Sequence, residues 1–436
     1  MTLPALEQKI EDRSAVVGIV GIGYVGLPLA VAFAAAGFRV LGFDIRQNNV
    51  DSVNRGESYI ADVSGDSLAA VVSKGLLEAT TDQARLAEAD AICICVPTPL
   101  TPTKDPDLSY VIHESREISR HLRPGQLVVL ESTTYPGTTR QVVLPALEES
   151  GLRCGADFYL AYSPERVDPG SRDYNITNTP KIVGGMDSAS THLARLLYSQ
   201  VAGSVLPVSC PEAAEMTKIF ENVFRSVNIA LVNELAHLCE RMGLSAWEVI
   251  DAASTKPFGY MPFYPGPGVG GHCIPLDPYY LANKARELDF HTRFIELAAE
   301  VNEHMPYHVV SRIIEALSAR GKSLHGARVL VLGVAYKKDV ADTRESPALK
   351  MVQLLCEKGA DVSYNDPYVP RIHVPAGDME SVALDGQRLA SADCVVIAAD
   401  HSCYDIADIT ARASLVFDTR GVTRGLRGDN IVRLGE

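Results

Sequence analysis

The stretch from residue 15 to residue 44 constrains the fold more than any other part of this chain. An apolar run, 15–20, leads directly into Gly21-Ile-Gly23-Tyr-Val-Gly26, and an apolar helical segment and a second apolar run, 39–43, follow. This order is typical of a buried parallel strand, a tight turn and a helix whose N-terminus a pyrophosphate can approach across the glycines. We therefore predict a dinucleotide-binding α/β domain with cofactor contacts at these glycines.

Asp44 ends the second apolar run and indicates which dinucleotide binds. It follows the last glycine at about the 20-residue spacing at which an acidic side chain accepts hydrogen bonds from the adenosine ribose. A carboxylate at this position favours NAD over NADP. Arg46 keeps NADP open, since a nearby arginine can hold a 2′-phosphate.

Three later apolar runs each end in small or polar residues. They are 91–96 with Thr98, 126–131 with Thr133, and 158–162 with Glu165. The carboxyl ends of parallel strands line the ligand crevice of an open α/β sheet. Each residue alone is as readily a turn, a helix cap or a solvated charge, but the repetition favours a binding edge.

Residues 211–242 have the pattern of a long helix that is apolar on more than one face. A polar stripe also runs along it, with Lys218, Asn222 and Arg225 at helical spacing. Such a stripe is either a solvated face or a set of cationic and amide groups that face a ligand. The surplus of apolar surface predicts a homodimer formed through this helix, with a higher homo-oligomer left open.

The segment from Tyr264 to Asp277 is rich in glycine and proline around a single thiol, which predicts a loop with a helical segment that begins at Pro278. We expect Cys273 to be a nucleophile, with main-chain N–H groups of the glycines near a developing oxyanion and Asp277 near the sulfur. The alternative is a surface loop that carries an inert buried cysteine.

The last third of the chain repeats the opening pattern without its glycine triplet. An apolar run, 327–333, precedes a helical segment, 346–358, and a further run that ends at Asp366. The turn after the first run contains Lys337 and other cations, which suits a phosphate or a second nucleotide, although surface lysines are common. The predicted fold class is α/β, with two Rossmann-like parallel-sheet domains joined by a long central helix and a helical middle domain. The predicted domain bounds are 1–210, 211–315 and 316–436.

Composition narrows the function further. A net charge of −14 without a long basic run argues against a nucleic-acid partner. Nine scattered cysteines without a CxxC pair predict reduced thiols, no metal site and a cytoplasmic location. The uncharged stretch 15–38 is long enough to span a membrane, but its glycine turn explains it as a buried strand and helix, so we predict no membrane segment.

A set of motifs along the chain is shared with one family of enzymes. The motifs are Gly21–Pro28, Val96–Pro99, Ser132–Thr134, Ser163–Arg166, Glu215–Lys218 with Asn222, Gly270–Cys273 with Asp277, and Lys337–Ser346. Through them the chain resembles the UDP-glucose/GDP-mannose dehydrogenase family along nearly its whole length. The resemblance implies an enzyme that oxidises the C6 alcohol of a nucleotide sugar to a carboxylate, using two NAD and one water.

The resemblance also implies catalytic roles. Cys273 would capture the aldehyde as a thiohemiacetal, from which the second oxidation gives a thioester. Lys218, or water near Asp277, would take the proton of the C6 hydroxyl. The remaining roles would be stabilisation of the oxyanion by Lys218 and Asn222, and thioester hydrolysis aided by Asp277 and Glu165 with Thr133 beside the water.

Ligand contacts follow from the same resemblance. For NAD they would be Gly21, Gly23, Tyr24, Val25, Gly26, Asp44, Thr98, Thr133 and Arg344. For the sugar nucleotide they would be Arg166, Val167, Lys218, Asn222, Arg225, Tyr264, Gly268, Tyr336 and Lys337.

The substrate is the least constrained part of the prediction. The stretch 255–281 looks most like the UDP-N-acetylglucosamine 6-dehydrogenases that supply surface polysaccharide synthesis, and UDP-N-acetylmannosamine dehydrogenase is the nearest rival. UDP-glucose is less favoured, because Leu276 and Pro257 stand where its dehydrogenases usually have lysine and arginine. A one-step alcohol dehydrogenase and a noncatalytic sensor of NAD or nucleotide sugars are the competing hypotheses for the function as a whole.

Overall fold

The protein is described by a computed structural model that covers residues 3–60, 62–101, 105–167, 174–271 and 273–436, the side chain of Cys273 excepted. The chain forms two compact units. The first comprises residues 1–221 and 279–288, and the second comprises residues 222–278 and 289–436. The division at residues 210 and 315 stays a prediction.

An eight-stranded sheet forms the centre of the first unit. Its strands are β1 (Val16–Val20), β2 (Arg39–Phe43), β3 (Leu77–Thr80), β4 (Ala91–Ile94), β5 (Leu127–Leu130), β6 (Tyr159–Tyr162), β7 (Lys181–Gly185) and β8 (Val205–Pro207). They lie in the order β3-β2-β1-β4-β5-β6-β7-β8, and neighbours are parallel except for β6 and β7. The order 3-2-1-4-5-6 is that of a dinucleotide-binding Rossmann fold.

Helices cover both faces of this sheet, which is why its strands β1, β4, β5 and β6 are apolar. They are α1 (Leu3–Glu11), α2 (Gly26–Ala35), α3 (Gln47–Asn54), α4 (Gly65–Ser73), α5 (Ser109–His121), α6 (Leu144–Glu148) and α7 (Ser188–Tyr198). Alternate residues of β5 point to opposite faces: Leu127 and Val129 pack in the core with α2 and α7, and Val128 and Leu130 in the core with α5 and α6.

The predicted long helix is continuous as α8 (Pro211–Met242), but its faces are not arranged as a solvated polar stripe would require. Lys218 and Asn222 are only 8% and 6% exposed, whereas Phe220 and Phe224 are 62% and 41% exposed. The interpretation as a solvated face is therefore wrong for Lys218 and Asn222. It holds for Arg225, which is exposed.

A smaller parallel sheet forms the centre of the second unit. The strands are β9 (Arg328–Leu332), β10 (Asp361–Asn365), β11 (Arg371–Val374), β12 (Gly377–Glu380), β13 (Cys394–Ile397), β14 (Val416–Asp418) and β15 (Ile431–Arg433). The sheet order is β10-β9-β13-β14-β15 with all neighbours parallel, and β11 and β12 form a separate antiparallel hairpin. This is a doubly wound nucleotide-binding topology, so the predicted fold class is confirmed.

The remaining helices correct one detail of the prediction. They are α9 (Ala246–Ser254), α10 (Cys273–Arg286), α11 (Arg293–Ser318), α12 (Pro347–Glu357), α13 (Gly386–Ser391) and α14 (Ile406–Arg412). Helix α10 begins at Cys273, although the glycine- and proline-rich sequence predicted a loop as far as Asp277. Within the described ranges, no helix is both long and apolar enough to cross a membrane.

Candidate active site

The three glycines of the first turn, Gly21, Gly23 and Gly26, are required for different structural reasons. A Cβ on Gly21, which has φ of +87°, would lie 2.7 Å from the carbonyl oxygen of Cys95, and one on Gly26 would lie 1.9 Å from that of Gly21. At Gly23 a Cβ would meet no atom within 4 Å. Gly21 and Gly26 therefore close the turn, and Gly23 leaves open the space through which a pyrophosphate approaches the start of α2.

Asp44 is held in the orientation that a ribose-binding carboxylate needs. Its Oδ1 accepts from the Arg46 N–H at 2.8 Å, and its Oδ2 accepts from Asn49 Nδ2 at 3.2 Å. Its side chain is half-buried, and each oxygen keeps a further lone pair for a ribose hydroxyl. The residues present thus fit NAD.

Tyr59, which follows α3 in the chain, contacts this turn and was missed by sequence reasoning. Its hydroxyl donates to the carbonyl oxygen of Ile22 at 2.6 Å and holds the glycine turn from outside. Burial, together with the charge of Asp44, raises the pKa of Tyr59, so the phenol stays a donor. Tyr24 is 56% exposed, and Val25 is the N-cap residue of α2.

The polar ends of β4 and β5 are bonded to one another. Thr98 Oγ1 donates to the carbonyl oxygen of Thr133 at 2.7 Å, and Ser132 Oγ donates to that of Val96 at 2.7 Å. Tyr280, in the part of α10 that belongs to the first unit, donates through its hydroxyl to the carbonyl oxygen of Thr98. Thr98 and Thr133 are therefore neighbours, and their contacts with NAD and water stay predictions.

Glu165 is an ordered carboxylate and not a solvated loop charge, since its side chain is only 15% exposed. Its Oε1 accepts from the N–H groups of Arg166 and Val167, both at 2.7 Å, and its Oε2 lies 3.4 Å from Lys181 Nζ. Burial acts to raise the pKa of Glu165, but Lys181, the two N–H groups and Lys218 outweigh it and lower the pKa. The carboxylate is therefore ionised at neutral pH.

Arg166 is bonded mainly within the protein. Its guanidinium pairs with Glu221 at 2.6 Å and donates to the carbonyl oxygen of Pro180 at 2.6 Å. Its predicted contact with the sugar nucleotide, like that of Val167, stays a prediction.

Glu215, one turn before Lys218 on α8, has a structural role. Its carboxylate accepts from the N–H of Gly137 at 2.6 Å and from the N–H and hydroxyl of Thr139 at 2.8 and 2.6 Å. The side chain is fully buried, and burial raises its pKa. Glu215 anchors the first turns of α8 to the segment at Gly137 and Thr139. The position of the buried Lys218 within the first unit follows from this anchoring.

In the second unit, two of the predicted catalytic side chains contact each other. Asn222 Nδ2 donates to Asp277 Oδ2 at 2.5 Å, and the two residues are 6% and 2% exposed. Asp277 lies on α10 one turn after Cys273, which is the first residue of that helix. The side chain of Cys273 and all of His272 lie outside the described residues.

The glycines before Cys273 serve packing. A Cβ on Gly270 or Gly271 would lie 2.7 or 2.9 Å from side-chain atoms of Tyr336. The N–H of Gly271 donates to the carbonyl oxygen of Arg344 at 2.9 Å, and that of Gly266 donates to Asn233 Oδ1 at 3.0 Å. The expectation that these two N–H groups face an oxyanion is therefore wrong. The same contacts place Tyr336 and Arg344 beside this segment.

Tyr264 and Gly268 are also held by their surroundings. The ring of Tyr264 stacks on that of Trp247 with 5.6 Å between centroids, and its hydroxyl donates to Asp251 at 2.7 Å. Gly268 has φ of +126°, and a Cβ there would lie 3.0 Å from the carbonyl oxygen of Asn302. Their predicted contacts with the sugar nucleotide remain untested.

Asp366 occupies the position in the second unit that Asp44 occupies in the first, and its use differs. It is 2% exposed, and its Oδ2 accepts from the N–H groups of Val334 and Ala335 at 2.7 and 3.0 Å and from His401 Nε2 at 3.0 Å. Its Oδ1 accepts from the N–H groups of Tyr368 and Val369 at 2.8 and 3.1 Å, so both oxygens are occupied within the protein and Asp366 has no lone pair left for a ribose. The turn after β9 is therefore not a second dinucleotide site.

Arg420 is a cation of the second unit that sequence reasoning missed. It follows β14, its Nε donates to the carbonyl oxygen of Ala398 at 2.7 Å, and a Cβ on Gly266 would lie 3.3 Å from its guanidinium. Burial lowers its pKa, although Asp400 and Asp418 act against this. The sequence signal for this strand-end position is an arginine three residues after the apolar run 415–417.

A dinucleotide turn in one unit and a cation-bearing turn in the other are the combination expected of dehydrogenases whose substrate itself carries a nucleotide. Three family models match the chain in succession. They are the NAD binding domain (residues 15–202), the central domain (212–304) and the UDP binding domain (330–425) of the UDP-glucose/GDP-mannose dehydrogenase family. The chain belongs to this family, and it is an NAD-dependent nucleotide-sugar dehydrogenase.

Characterised relatives include enzymes for two epimeric sugars. The chain is 39% identical over 386 residues to UDP-N-acetyl-D-mannosamine dehydrogenase of Pyrococcus horikoshii, covering 88% of this chain and 89% of that one. It is 37% identical over 385 residues to UDP-N-acetyl-D-glucosamine 6-dehydrogenase of Pseudomonas aeruginosa, covering 86% and 90%. The solved structure of the Pyrococcus horikoshii enzyme matches with a TM-score of 0.88 at 35% identity, covering 96% of this chain and 99% of that one.

Proposed function

We propose that this enzyme oxidises the C6 alcohol of a UDP-N-acetylhexosamine, UDP-N-acetylglucosamine in particular, to the uronic acid in two stages. The observation that carries this proposal is the buried Asn222–Asp277 pair, one helical turn beyond Cys273. An amide donor from α8 that is bonded to a carboxylate on α10, one turn after a cysteine in the sequence of that helix, suits covalent capture of an aldehyde followed by hydrolysis.

In the first stage the alcohol becomes an aldehyde. NAD supplies the hydride acceptor when bound, one molecule for each of the two oxidations. Lys218, or a water held near Asp277, takes the hydroxyl proton, so that the substrate loses a hydride and a proton. Lys218 takes the proton as the neutral amine, and the ammonium that results is the cation that the second stage uses.

In the second stage the protein holds the aldehyde. The Cys273 thiolate adds to C6, and the Lys218 ammonium and the Asn222 amide stabilise the oxyanion. Loss of a second hydride leaves a thioester. Water adds with help from Asp277 and Glu165, Thr133 binding near it, and the acid leaves as the thiolate is regenerated.

Substrate and cofactor contacts complete the proposal. NAD binds across Gly23 and Asp44, with Tyr24, Val25, Thr98 and Arg344. The nucleotide sugar binds to Arg166, Val167, Arg225, Tyr264, Gly268, Tyr336 and Lys337, to which we add the half-buried Arg420 as a partner for negative charge.

Steady-state turnover tests the reaction directly. We expect two NADH per sugar consumed, followed by NADH absorbance, and a uronic acid product identified by mass. UDP-N-acetylglucosamine is expected to have a higher kcat/KM than UDP-N-acetylmannosamine or UDP-glucose. One NADH with free aldehyde would identify a one-step alcohol dehydrogenase, and NAD binding without turnover of any UDP-sugar would identify a sensor.

The C2 epimer is the second candidate substrate, because the 39% identical relative is named for UDP-N-acetylmannosamine. The two sugars differ only in the direction of the acetamido group, so the same assay decides between them by the ratio of kcat/KM.

We further infer a homodimer through α8. Phe224, Leu231 and Leu238 recur every seven residues and are 41%, 63% and 53% exposed, an apolar stripe that a second copy would cover. Light scattering is expected to give about twice the 47.0 kDa of one chain. Leu231→Asp together with Leu238→Asp should produce monomers, and a parent protein of one-chain mass would contradict the inference.

The setting of the enzyme follows from its thiols and its chemistry. The cysteines of the described residues, apart from Cys273, whose side chain is not described, are free thiols, as expected in a reducing compartment. We place the reaction in the cytoplasm, where its product would serve as a precursor of surface polysaccharide.

A further inference from the structure

Two buried charged residues, Glu131 and Lys181, form a cluster with Glu165. None of the proposed reaction steps involves these two residues. Glu131 follows β5 and Lys181 begins β7, and their side chains are 0% and 4% exposed. Charges so far from solvent are retained only when they are paired, and the pair here is extended to the carboxylate of Glu165.

Lys181 has an acceptor for each of its three donors. Its Nζ lies 2.5 Å from Glu131 Oε2, 3.2 Å from the carbonyl oxygen of Pro164 and 3.4 Å from Glu165 Oε2. The ammonium is thus fixed between a carboxylate without access to solvent and one at the predicted site of hydrolysis.

Glu131 is fixed from its other side. Its Oε1 accepts from the hydroxyl of Tyr198, whose oxygen lies 3.5 Å from the Cys93 sulfur, and the ring of Tyr198 lies 5.0 Å from Lys181 Nζ. Glu131 therefore cannot turn away from Lys181 without leaving a buried hydroxyl and ammonium unpaired.

We propose that Lys181, anchored by Glu131, is the positioning residue that holds Glu165 in one orientation and in its ionised form during thioester hydrolysis. This inference rests on the proposed function of Glu165. The N–H groups of Arg166 and Val167 occupy Oε1, and Lys181 contacts Oε2 from one side, so the lone pair that Oε2 keeps has a fixed direction in which it can accept from a water or from Lys218.

The charged and titratable groups near Glu165 determine what the loss of Lys181 would do. They are Lys181, Lys218, Glu131 and Cys95. In a variant that lacks both Lys181 and Glu131, Glu165 would lose the cation 3.4 Å from its Oε2 and keep only Lys218, so its pKa would rise. Because Glu165 must be ionised, the acid limb of the rate profile would move to higher pH.

The test removes the pair together, since Lys181→Met alone leaves Glu131 buried and unpaired. Glu131→Leu with Lys181→Met replaces two buried charges by apolar groups, a change that folded proteins often tolerate. We expect the acid limb of the pH profile of kcat to move to higher pH by at least about one unit. At the acid end of the profile kcat would then be about tenfold lower than that of the parent, and the KM for NAD would be unchanged. Lys181→Arg, which keeps the cation, should recover most of the parent profile. An unchanged pH profile in the folded double variant overturns the proposal.

A second measurement separates this inference from the role of Glu165 in catalysis. Urea unfolding at pH 7 should show that Glu165→Gln destabilises the parent more than it destabilises the double variant, because only the parent has the Lys181 partner. Equal effects in both backgrounds overturn the positioning role, whatever the activities. Parental kcat in Glu165→Gln, combined with unequal effects on unfolding, would show that Glu165 takes no part in the reaction. The contact between Lys181 and Glu165 would then still be supported, and the proposed function of Glu165 would be wrong.

Discussion

Replacement of Cys273 by serine is expected to abolish acid formation, with kcat for the second oxidation lowered by about a thousandfold or more. A serine hydroxyl is not ionised at neutral pH, and the ester it would form has a poorer leaving group than a thioester, so neither capture nor hydrolysis proceeds at a useful rate. The first oxidation needs no thiol. We therefore expect at most one NADH per bound sugar, measured by absorbance, with the product identified by mass.

Cys356→Ser is the matched control, because Cys356 is a free, half-buried thiol on α12 with no part in the proposed chemistry. It should keep the parent rate and two NADH per sugar. Full acid production by Cys273→Ser would refute covalent capture and leave an NAD-dependent dehydrogenase with a different second stage.

Lys218→Met is expected to lower kcat by about 100- to 1,000-fold, the usual cost of removing one donor from an oxyanion site. Methionine keeps the length and apolar stem that a side chain 8% exposed requires, so the loss reports the ammonium and not a cavity. Stopped-flow and steady-state rates with saturating NAD and UDP-sugar would measure it.

Lys74→Met, at an exposed helix end, controls for a change of net charge and should leave kcat unaltered. NAD affinity of Lys218→Met, measured by fluorescence titration, should match that of the parent. A Lys218→Met enzyme with parental kcat would show that the buried ammonium only neutralises Glu165 and takes no part in stabilising the oxyanion.

Local patterns predicted the parallel strands and the long helix well. The runs 15–20, 39–43 and 361–365 became strands with nearly the expected ends, and 211–242 became one helix. Each follows from a short-range rule: an apolar run covered on both faces, or a period of 3.6 residues.

The predicted start of α10 lies too late in the chain. The glycine- and proline-rich residues up to Asp277 predicted a loop, yet the helix begins at Cys273. Proline is tolerated in a first turn, where its missing N–H has no intrahelical partner, so Pro275 costs little. Pro278, where we expected the helix to begin, lies inside it.

The polar stripe on α8 shows where sequence reasoning stops. Spacing placed Lys218, Asn222 and Arg225 on related faces, but the same spacing fits a solvated stripe and a buried one. Burial of the first two, exposure of the third and the bond from Asn222 to Asp277 depend on what packs against the helix. That information is not contained in the period of the residues.

The sequence by itself determined the NAD-binding turn and the family, because short motifs of contiguous residues carry both, and it indicated the kinds of groups that carry the chemistry. Only the tertiary structure decided that the Asp366 carboxylate is hydrogen-bonded within the protein and that Lys181 contacts Glu131 and Glu165. Hydrogen bonds and ion pairs act over a few ångströms of space, whatever the separation along the chain. The partners of a charge are therefore known only once the strands that carry them lie side by side.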